Sequence, residues 1–118
     1  MRPKTIFCDI DGTLVRHEKP SVATRTSFSM SVLDGTIEKL LEWDRKGYNI
    51  ILTTGRKESL RESTVAQLRE AGIFYDQLIM GIGGGCRVLI NDRKPDNAKD
   101  TAIAINLTRN KGIGSVEV

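Results

Sequence analysis

Short apolar runs that end in polar residues alternate with amphipathic stretches along this chain, and this alternation constrains the fold more than any other feature. Residues 5–10 are a nearly unbroken apolar run ending in acid, the pattern of a strand buried on both faces of a parallel sheet. Further apolar runs at residues 48–53, 77–80 and 87–91 also have the length of strands. Residues 101–107 alternate well enough for a final strand, with a helix as the competing interpretation.

Two amphipathic stretches between these runs predict helices. Asp34 is placed to cap a helix over residues 36–46, which Gly47 would end in the left-handed conformation. Ser59 and Glu62 have the spacing of a capping box, and the apolar positions after them repeat at helical intervals until residue 72.

The order of these elements predicts an α/β fold. Strands separated by helical crossovers imply a Rossmann-like open, mainly parallel sheet with helices on both faces. Residues 15–32 have little helical periodicity and predict a loop or a short irregular hairpin. We find no repeat or linker and expect one domain over residues 1–118.

Composition excludes several classes of protein. No uncharged apolar run approaches the ~20 residues of a membrane-spanning helix, so we expect a soluble, cytoplasmic protein that has no membrane partner. Cys8 and Cys86 are isolated in sequence, which favours free thiols over a bridge. His17 is the only histidine, which excludes a histidine-based triad or zinc site.

Polar side chains follow three of the predicted strands. Asp9 and Asp11 follow the first, Thr53 and Thr54 the second, and Asp92 the strand at 87–91. Because ligands of open parallel sheets bind beyond the carboxyl ends of the strands, we expect these side chains to converge. Two nearby acids and a glycine are also typical of a simple turn, but three converging carboxylates would need a divalent cation to neutralise them. Oxygen ligands favour Mg²⁺.

These residues resemble a known family. Residues 9–13 (DIDGT), 51–56 (ILTTGR) and 89–92 (LIND) are similar to motifs one, two and four of the haloacid dehalogenase-like (HAD-like) phosphohydrolases. The resemblance extends from residue 5 to about residue 94. It implies a phosphatase that forms an aspartyl-phosphate intermediate and depends on Mg²⁺.

The resemblance also implies roles for individual residues. Asp9 matches the nucleophile, and Asp11 matches the general acid that protonates the leaving alkoxide and then activates water. Asp9, the backbone carbonyl of Asp11 and Asp92 match the Mg²⁺ ligands. Thr54 matches the hydroxyl that binds the phosphoryl group, with Gly55 and Arg56 beside it.

One family feature is missing. Motif three normally supplies a lysine to the phosphoryl oxygens, but residues 80–87 (MGIGGGCR) contain none. Arg87 is the best substitute and Lys94 the second, while a solvated residue at a strand start is the alternative for Arg87. Residues 81–85 have backbone N–H groups that suit a phosphate, although such a glycine run is more often a flexible connection.

The leading functional interpretation is a capless Mg²⁺-dependent phosphomonoesterase that acts on a small phosphorylated metabolite such as a sugar phosphate. An open crevice is often completed by a neighbouring subunit, so we expect a homo-oligomer, a dimer or a tetramer. A polynucleotide end phosphatase is the second interpretation. We nevertheless expect nucleic acid to be an unlikely partner, because the sequence lacks a tract of basic residues interleaved with aromatic ones. A non-catalytic phospho-accepting or phosphate-binding module is the third.

Overall fold

A computed structural model describes residues 2–23, 28–96 and 99–118 of the chain. Within these residues, the last regular element ends at residue 79. The regular elements are strands β1 (Thr5–Asp9), β2 (Asn49–Thr53) and β3 (Gln77–Ile79), and helices α1 (Pro20–Ala23), α2 (Thr36–Arg45) and α3 (Arg61–Glu70), the last preceded by a 3₁₀ turn at Glu58–Leu60.

The three strands form one open parallel sheet in the order β1-β2-β3. Asp9 pairs with Thr53, and Thr53 pairs with Ile79, so the three strands end at the same level. This confirms the predicted α/β class and the parallel pairing. It also gathers the polar residues that follow β1 and β2 at one edge.

Burial differs between the strands. Ile50, Ile51 and Leu52 of β2 are all buried, and since successive residues of a strand point to opposite faces, both faces of β2 are covered. In β1, Cys8 is buried but Phe7 is 55% exposed. The prediction that the first strand is buried on both faces was therefore wrong, because β1 lies at the edge of the sheet and only one of its faces packs on the core.

Helix α2 begins and ends close to the predicted residues, but its N-terminus is not capped as expected. The capping residue is Gly35, with φ +86° and no side-chain hydrogen bond, rather than Asp34. The hydroxyl of Thr36 instead donates to the backbone carbonyl of Leu14 over 2.7 Å, which ties the start of α2 to the loop after β1. Gly47 follows the helix with φ +75°, as predicted.

Helix α3 begins later than its capping-box pattern predicts. Glu58–Leu60 form a 3₁₀ turn, and the capping position is Leu60, without a side-chain cap. The hydroxyl of Ser63 donates to the carbonyl of Leu60, while Glu58 pairs with Arg61. The tighter turn takes up the residues that a capping box would have used.

The strands predicted at residues 87–91 and 101–107 are not formed. Residues 81–107, where described, contain neither helix nor strand. Val88 and Ile90 are 80% and 89% exposed, and Ile103 is 72% exposed. An apolar alternation predicts only the spacing of a strand. The strand itself requires a partner with matching backbone donors and acceptors, which these segments do not have in the structure.

The chain returns to the core at its end. Ile113 and Val116 are buried in the main apolar cluster. The predicted loop over residues 15–32 contains α1, while Val15 and Val32 form an isolated antiparallel bridge; residues 24–27 lie outside the described residues. Cys8 and Cys86 are free thiols, as predicted. Among the described residues, no helix combines the length and apolar character needed to cross a bilayer.

Candidate active site

A crevice of about 680 Å³ opens at the carboxyl edge of the sheet. Its walls come from the turn after β1, the segment after β2, helix α1 and the glycine-rich link after β3. Eight of its residues were predicted from the sequence as catalytic or phosphate-binding candidates or as part of the glycine-rich link at residues 81–85: Asp9, Asp11, Thr54, Gly55, Arg56, Arg87, Gly83 and Gly84.

Asp9 ends β1 with its carboxylate at the crevice. The hydroxyl of Thr13 donates to Asp9 Oδ2 over 3.2 Å, and the backbone N–H of Ile10 also donates to this carboxylate. Partial withdrawal from water raises the pKa of Asp9 above its ordinary value, and the negative charge of Asp11 raises it further. The two donors and the positive charge of Arg87 oppose this rise without cancelling it.

Asp11 is held by a bidentate ion pair with Arg56. Arg56 Nε donates to Asp11 Oδ2 and Nη2 donates to Oδ1, both over 2.9 Å. The side chains are 10% and 23% exposed for Arg56 and Asp11. Two parallel charge-assisted bonds fix both the position and the plane of the carboxylate. Arg56, expected to bind phosphate, therefore has its guanidinium occupied by a neighbouring acid.

Thr54 and Gly55 form the crevice wall after β2. Thr54 is buried, its N–H donates to the carbonyl of Ile79 over 3.0 Å, and its hydroxyl accepts from Arg56 N over 3.1 Å. A Cβ at Gly55 would lie 2.7 Å from the carbonyl oxygen of Gly83. Only glycine allows the link after β3 to approach β2 this closely.

Positive charge in the crevice comes from arginine and lysine. Arg87 lines the crevice, and its Nη2 donates to the carbonyl of Gly83 over 2.9 Å. Its positive charge opposes the rise in the pKa of Asp9. Lys57 and His17 line the crevice too, although sequence reasoning did not assign Lys57 a role. The position of Lys57 directly after the Thr54–Arg56 motif was the signal that could have identified it.

Asp92 and Lys94 are not brought to the crevice. Both lie on the exposed segment after residue 81, where the carbonyl of Asp92 accepts a hydrogen bond from the hydroxyl of Thr101. The expectation that Asp92 reaches the same rim as Asp9 depended on a strand at 87–91. Because that strand is not formed, nothing carries Asp92 to the carboxyl edge of the sheet.

The donor set at the crevice suits a hard cation. The carboxylate of Asp9 and the backbone carbonyl of Asp11 are both oxygen donors, and the negative charge at Asp9 favours a cation beside it. Among the described residues, no cluster of three or more acidic, histidine or cysteine side chains is present. Mg²⁺ does not require one, since it is commonly held by one or two carboxylates together with water and substrate phosphate.

Comparison with known proteins relates this site to phosphatase domains. A family model described as the polynucleotide kinase PNKP phosphatase domain matches residues 3–112. A structure of a Pnkp1/Rnl/Hen1 complex has a TM-score of 0.58 and 30% identity over 73% of this chain. A structure of the Pnkp1/Rnl/Hen1 RNA repair complex has a TM-score of 0.57 and 32% identity over 80%. This chain spans only 30% and 29% of the matched chains.

A more distant structure supports the fold alone. A crystal structure of a structural-genomics target from Vibrio cholerae has a TM-score of 0.54 and 19% identity, covering 79% of this chain and 85% of the other. A search of curated proteins found no match.

The expectation that nucleic acid is an unlikely partner was wrong. The matched family is the phosphatase domain of a polynucleotide kinase, and one of the similar structures is described as an RNA repair complex. The expectation rested on the missing tract of basic and aromatic residues. Such a tract suits a groove that follows a long strand, whereas binding the end of a strand requires only a local crevice.

The family model covers nearly the whole chain, and the parallel sheet presents Asp9 and Asp11 at its carboxyl edge. The chain therefore belongs to the PNKP phosphatase-domain family of HAD-like phosphatases and is a phosphoric monoester hydrolase.

Proposed function

We propose that this chain removes a terminal phosphate from a polynucleotide end, in a Mg²⁺-dependent reaction that passes through an aspartyl-phosphate on Asp9. The observation that carries the proposal is the pairing, in one crevice, of Asp9 with an Asp11 that Arg56 holds in place. The family match supports the choice of a polynucleotide over a small metabolite.

Asp9 is suited to the role of nucleophile. The bond from Thr13 constrains Oδ2, so one carboxylate oxygen is oriented while the group remains open to the crevice. An oxygen of Asp9 forms a bond to phosphorus as the bond from phosphorus to the sugar oxygen breaks. Asp11, in its protonated form, donates its proton to the departing alkoxide.

The second half of the reaction reverses the role of Asp11. As a carboxylate, Asp11 accepts a proton from water as the water oxygen attacks phosphorus, which releases phosphate and restores Asp9. The phosphoryl oxygens accept hydrogen bonds from the hydroxyl of Thr54, from the charged side chains of Arg87 and Lys57, and from nearby backbone N–H groups. The carboxylate of Asp9 and the backbone carbonyl of Asp11 would hold Mg²⁺, which, when bound, reduces the repulsion between the Asp9 carboxylate and the substrate phosphate.

Phosphate release from matched substrates tests the proposal. The purified chain is incubated with oligonucleotides carrying a 3′- or a 5′-phosphate and, in parallel, with sugar phosphates, each with Mg²⁺ or with a chelator. We expect Mg²⁺-dependent release, with a higher kcat/KM for one of the oligonucleotides than for any sugar phosphate. The KM for the oligonucleotide should rise with salt, because phosphate contacts release counterions.

Variants identify the residues responsible. Asp9→Asn should lower kcat by at least about 1,000-fold, because it removes the attacking oxygen. Asp44→Asn, the same change at an exposed position of α2, is the matched control and should leave the rate unchanged. If sugar phosphates are the better substrates, the polynucleotide assignment is refuted. If the folded chain releases phosphate from none of the substrates tested, the proposal as a whole is refuted.

A further inference from the structure

Arg56 has few donors left once its observed bonds are counted. Nε and Nη2 are used on Asp11, and Nη1 donates to Thr64 Oγ1 over 3.2 Å and to Gln67 Oε1 over 2.7 Å. Four of the five guanidinium N–H groups therefore have partners inside the protein. The arrangement is that of a residue that orients another side chain.

Helix α3 supplies the surface on which Arg56 rests. Thr64 and Gln67 are buried, at 0% and 6% exposure, on the side of α3 where the sequence pattern leads one to expect apolar residues. A buried amide lowers stability unless its donors and acceptor are satisfied. Gln67 is satisfied at both ends, because its Oε1 accepts from Arg56 and its Nε2 donates to the carbonyl of Ala23 over 3.0 Å.

We propose that Gln67 is a positioning residue that, through Arg56, holds the carboxyl group of Asp11 where, in its protonated form, it can donate a proton to the leaving oxygen. The inference rests on the proposed function, because it assumes that Asp11 is the general acid. The side-chain amide of Gln67 links the end of α1, which lines the crevice, to α3 and to the Asp11–Arg56 pair. General acid catalysis requires hydrogen-bond geometry at the leaving oxygen, so a shift of Arg56 by a fraction of an ångström reduces the rate.

Leaving-group dependence separates this role from a purely structural one. When Asp9 attacks the phosphate of an oligonucleotide, the leaving group is a strongly basic sugar alkoxide, so breaking the bond from phosphorus to oxygen requires a proton from Asp11. When Asp9 attacks p-nitrophenyl phosphate, the leaving group is a weakly basic phenolate that needs little protonation. Misplacing Asp11 therefore lowers kcat/KM for the oligonucleotide far more than for the aryl phosphate, whereas general damage to the site lowers both.

Two substitutions at Gln67 make the comparison. Gln67→Met keeps the length of the side chain but removes the acceptor, and we expect kcat/KM to fall about 10- to 100-fold for the oligonucleotide and less than about 3-fold for the aryl phosphate. Gln67→Glu keeps an oxygen acceptor for Arg56 and loses only the donor to the carbonyl of Ala23, so it should stay within about 3-fold of wild type for both substrates. Gln77→Leu, at an exposed position of β3, is the control and should change neither.

The Nε–H resonance of Arg56 in ¹⁵N-edited NMR spectra provides a measurement independent of activity. In the wild type we expect it to be protected from solvent exchange by the bond to Asp11, and we expect that protection to fall in Gln67→Met but not in Gln67→Glu. If Gln67→Met does not fold, Gln67→Asn, whose shorter side chain withdraws the acceptor, takes its place. The same substrate ratio and resonance are then measured.

Three results would overturn the inference: equal losses on both substrates, no loss on either, or an unchanged Arg56 resonance in the variant that lacks the acceptor. A Gln67→Glu variant as impaired as Gln67→Met would also overturn it, because the Arg56 contact would then not be the reason. Failure of the proposed function looks different, since the wild type would then release no phosphate while the resonance still reports whether Gln67 positions Arg56.

Discussion

At the scale of single residues, the site depends on two acids, Asp9 and Asp11, which are only two positions apart in the sequence but have different surroundings. Asp9 is partly withdrawn from water and has a raised pKa, while Asp11 is paired with Arg56. One acid therefore keeps an oxygen available to the crevice, and the other is fixed by a guanidinium. The division matches the different tasks of a nucleophile and a proton donor.

The raised pKa of Asp9 predicts a pH-dependent cost to stability. Between its ordinary and raised pKa values the folded chain binds more protons than the unfolded chain, so stability falls as pH rises through that interval. Asp9→Asn should therefore raise the melting temperature at pH 7 in the presence of a chelator, with a difference that disappears below the ordinary pKa of an aspartate, about 3.9. Scanning calorimetry over this pH range checks the sign. A variant that melts below the wild type at neutral pH would contradict it.

We expect a steric effect when Gly55 is replaced by alanine, and the same change at Gly85 serves as the comparison. An added Cβ would lie 2.7 Å from the Gly83 carbonyl oxygen, so Gly55→Ala should displace the glycine link from the crevice wall and lower kcat/KM at least about 10-fold. At Gly85 an added Cβ meets no atom within 4 Å, and Gly85→Ala should leave the melting temperature unchanged. Steady-state kinetics and thermal melts of both variants decide. Similar behaviour of the two would show that the close approach at Gly55 does not matter.

At the scale of elements, the segment after residue 107 fastens the loop that carries the acids. Asn110 N donates to the carbonyl of Gly12, and His17 N donates to Asn110 Oδ1, both over 2.8 Å. Asn110 has φ +64°, a left-handed conformation that asparagine tolerates better than most residues. Neither bond was expected from the sequence, because residues 12 and 110 are far apart along the chain.

Substitutions at Asn110 should separate backbone strain from the lost hydrogen bond. Asn110→Ala adds strain and removes the acceptor, which we expect to lower the free energy of unfolding by about 2 kcal/mol. Asn110→Gly removes only the acceptor and should cost about 1 kcal/mol, while Asn110→Asp keeps it and should stay close to wild type. Urea denaturation measures all three. Equal losses for alanine and glycine would show that the left-handed conformation carries no cost.

At the scale of the whole molecule, the chain divides into a packed part around the sheet and an exposed segment. The described residues of the segment 81–107 include apolar side chains, but none of these belongs to the main buried cluster. Exposed backbone without regular hydrogen bonds opens easily and is the preferred site of proteolysis. We therefore expect trypsin to cleave first after Arg87 or Arg93 and to spare Arg45 and Arg69 in the helices; the bond after Lys94 precedes Pro95 and is not a trypsin site.

Mass spectrometry of a trypsin time course measures this order. The packed part supplies the internal control, because Arg45 and Arg69 are also exposed side chains but belong to helices. Cleavage of the helices at the same rate as residues 87–93 would show that the segment is protected.

Local patterns predicted much of the sheet and of the helices. The strands at 5–9, 49–53 and 77–79 and the helix at 36–45 lie within one or two residues of their predicted bounds, because apolar spacing and turn residues act over short distances. The patterns misplaced the caps at Asp34 and Ser59, where tertiary contacts of the neighbouring backbone took precedence. They also predicted two strands after residue 86 that have the right composition but no partner.

The sequence by itself determined the parallel α/β core and the placing of Asp9, Asp11 and Thr54 at one edge, because parallel strands that end at the same level necessarily bring their following residues together. Only the tertiary structure decided which side chain each acid meets. The pairing of Asp11 with Arg56, the support of Arg56 by Gln67, and the separation of Asp92 from the crevice depend on how distant segments pack, and the spacing of residues along a chain does not encode that packing.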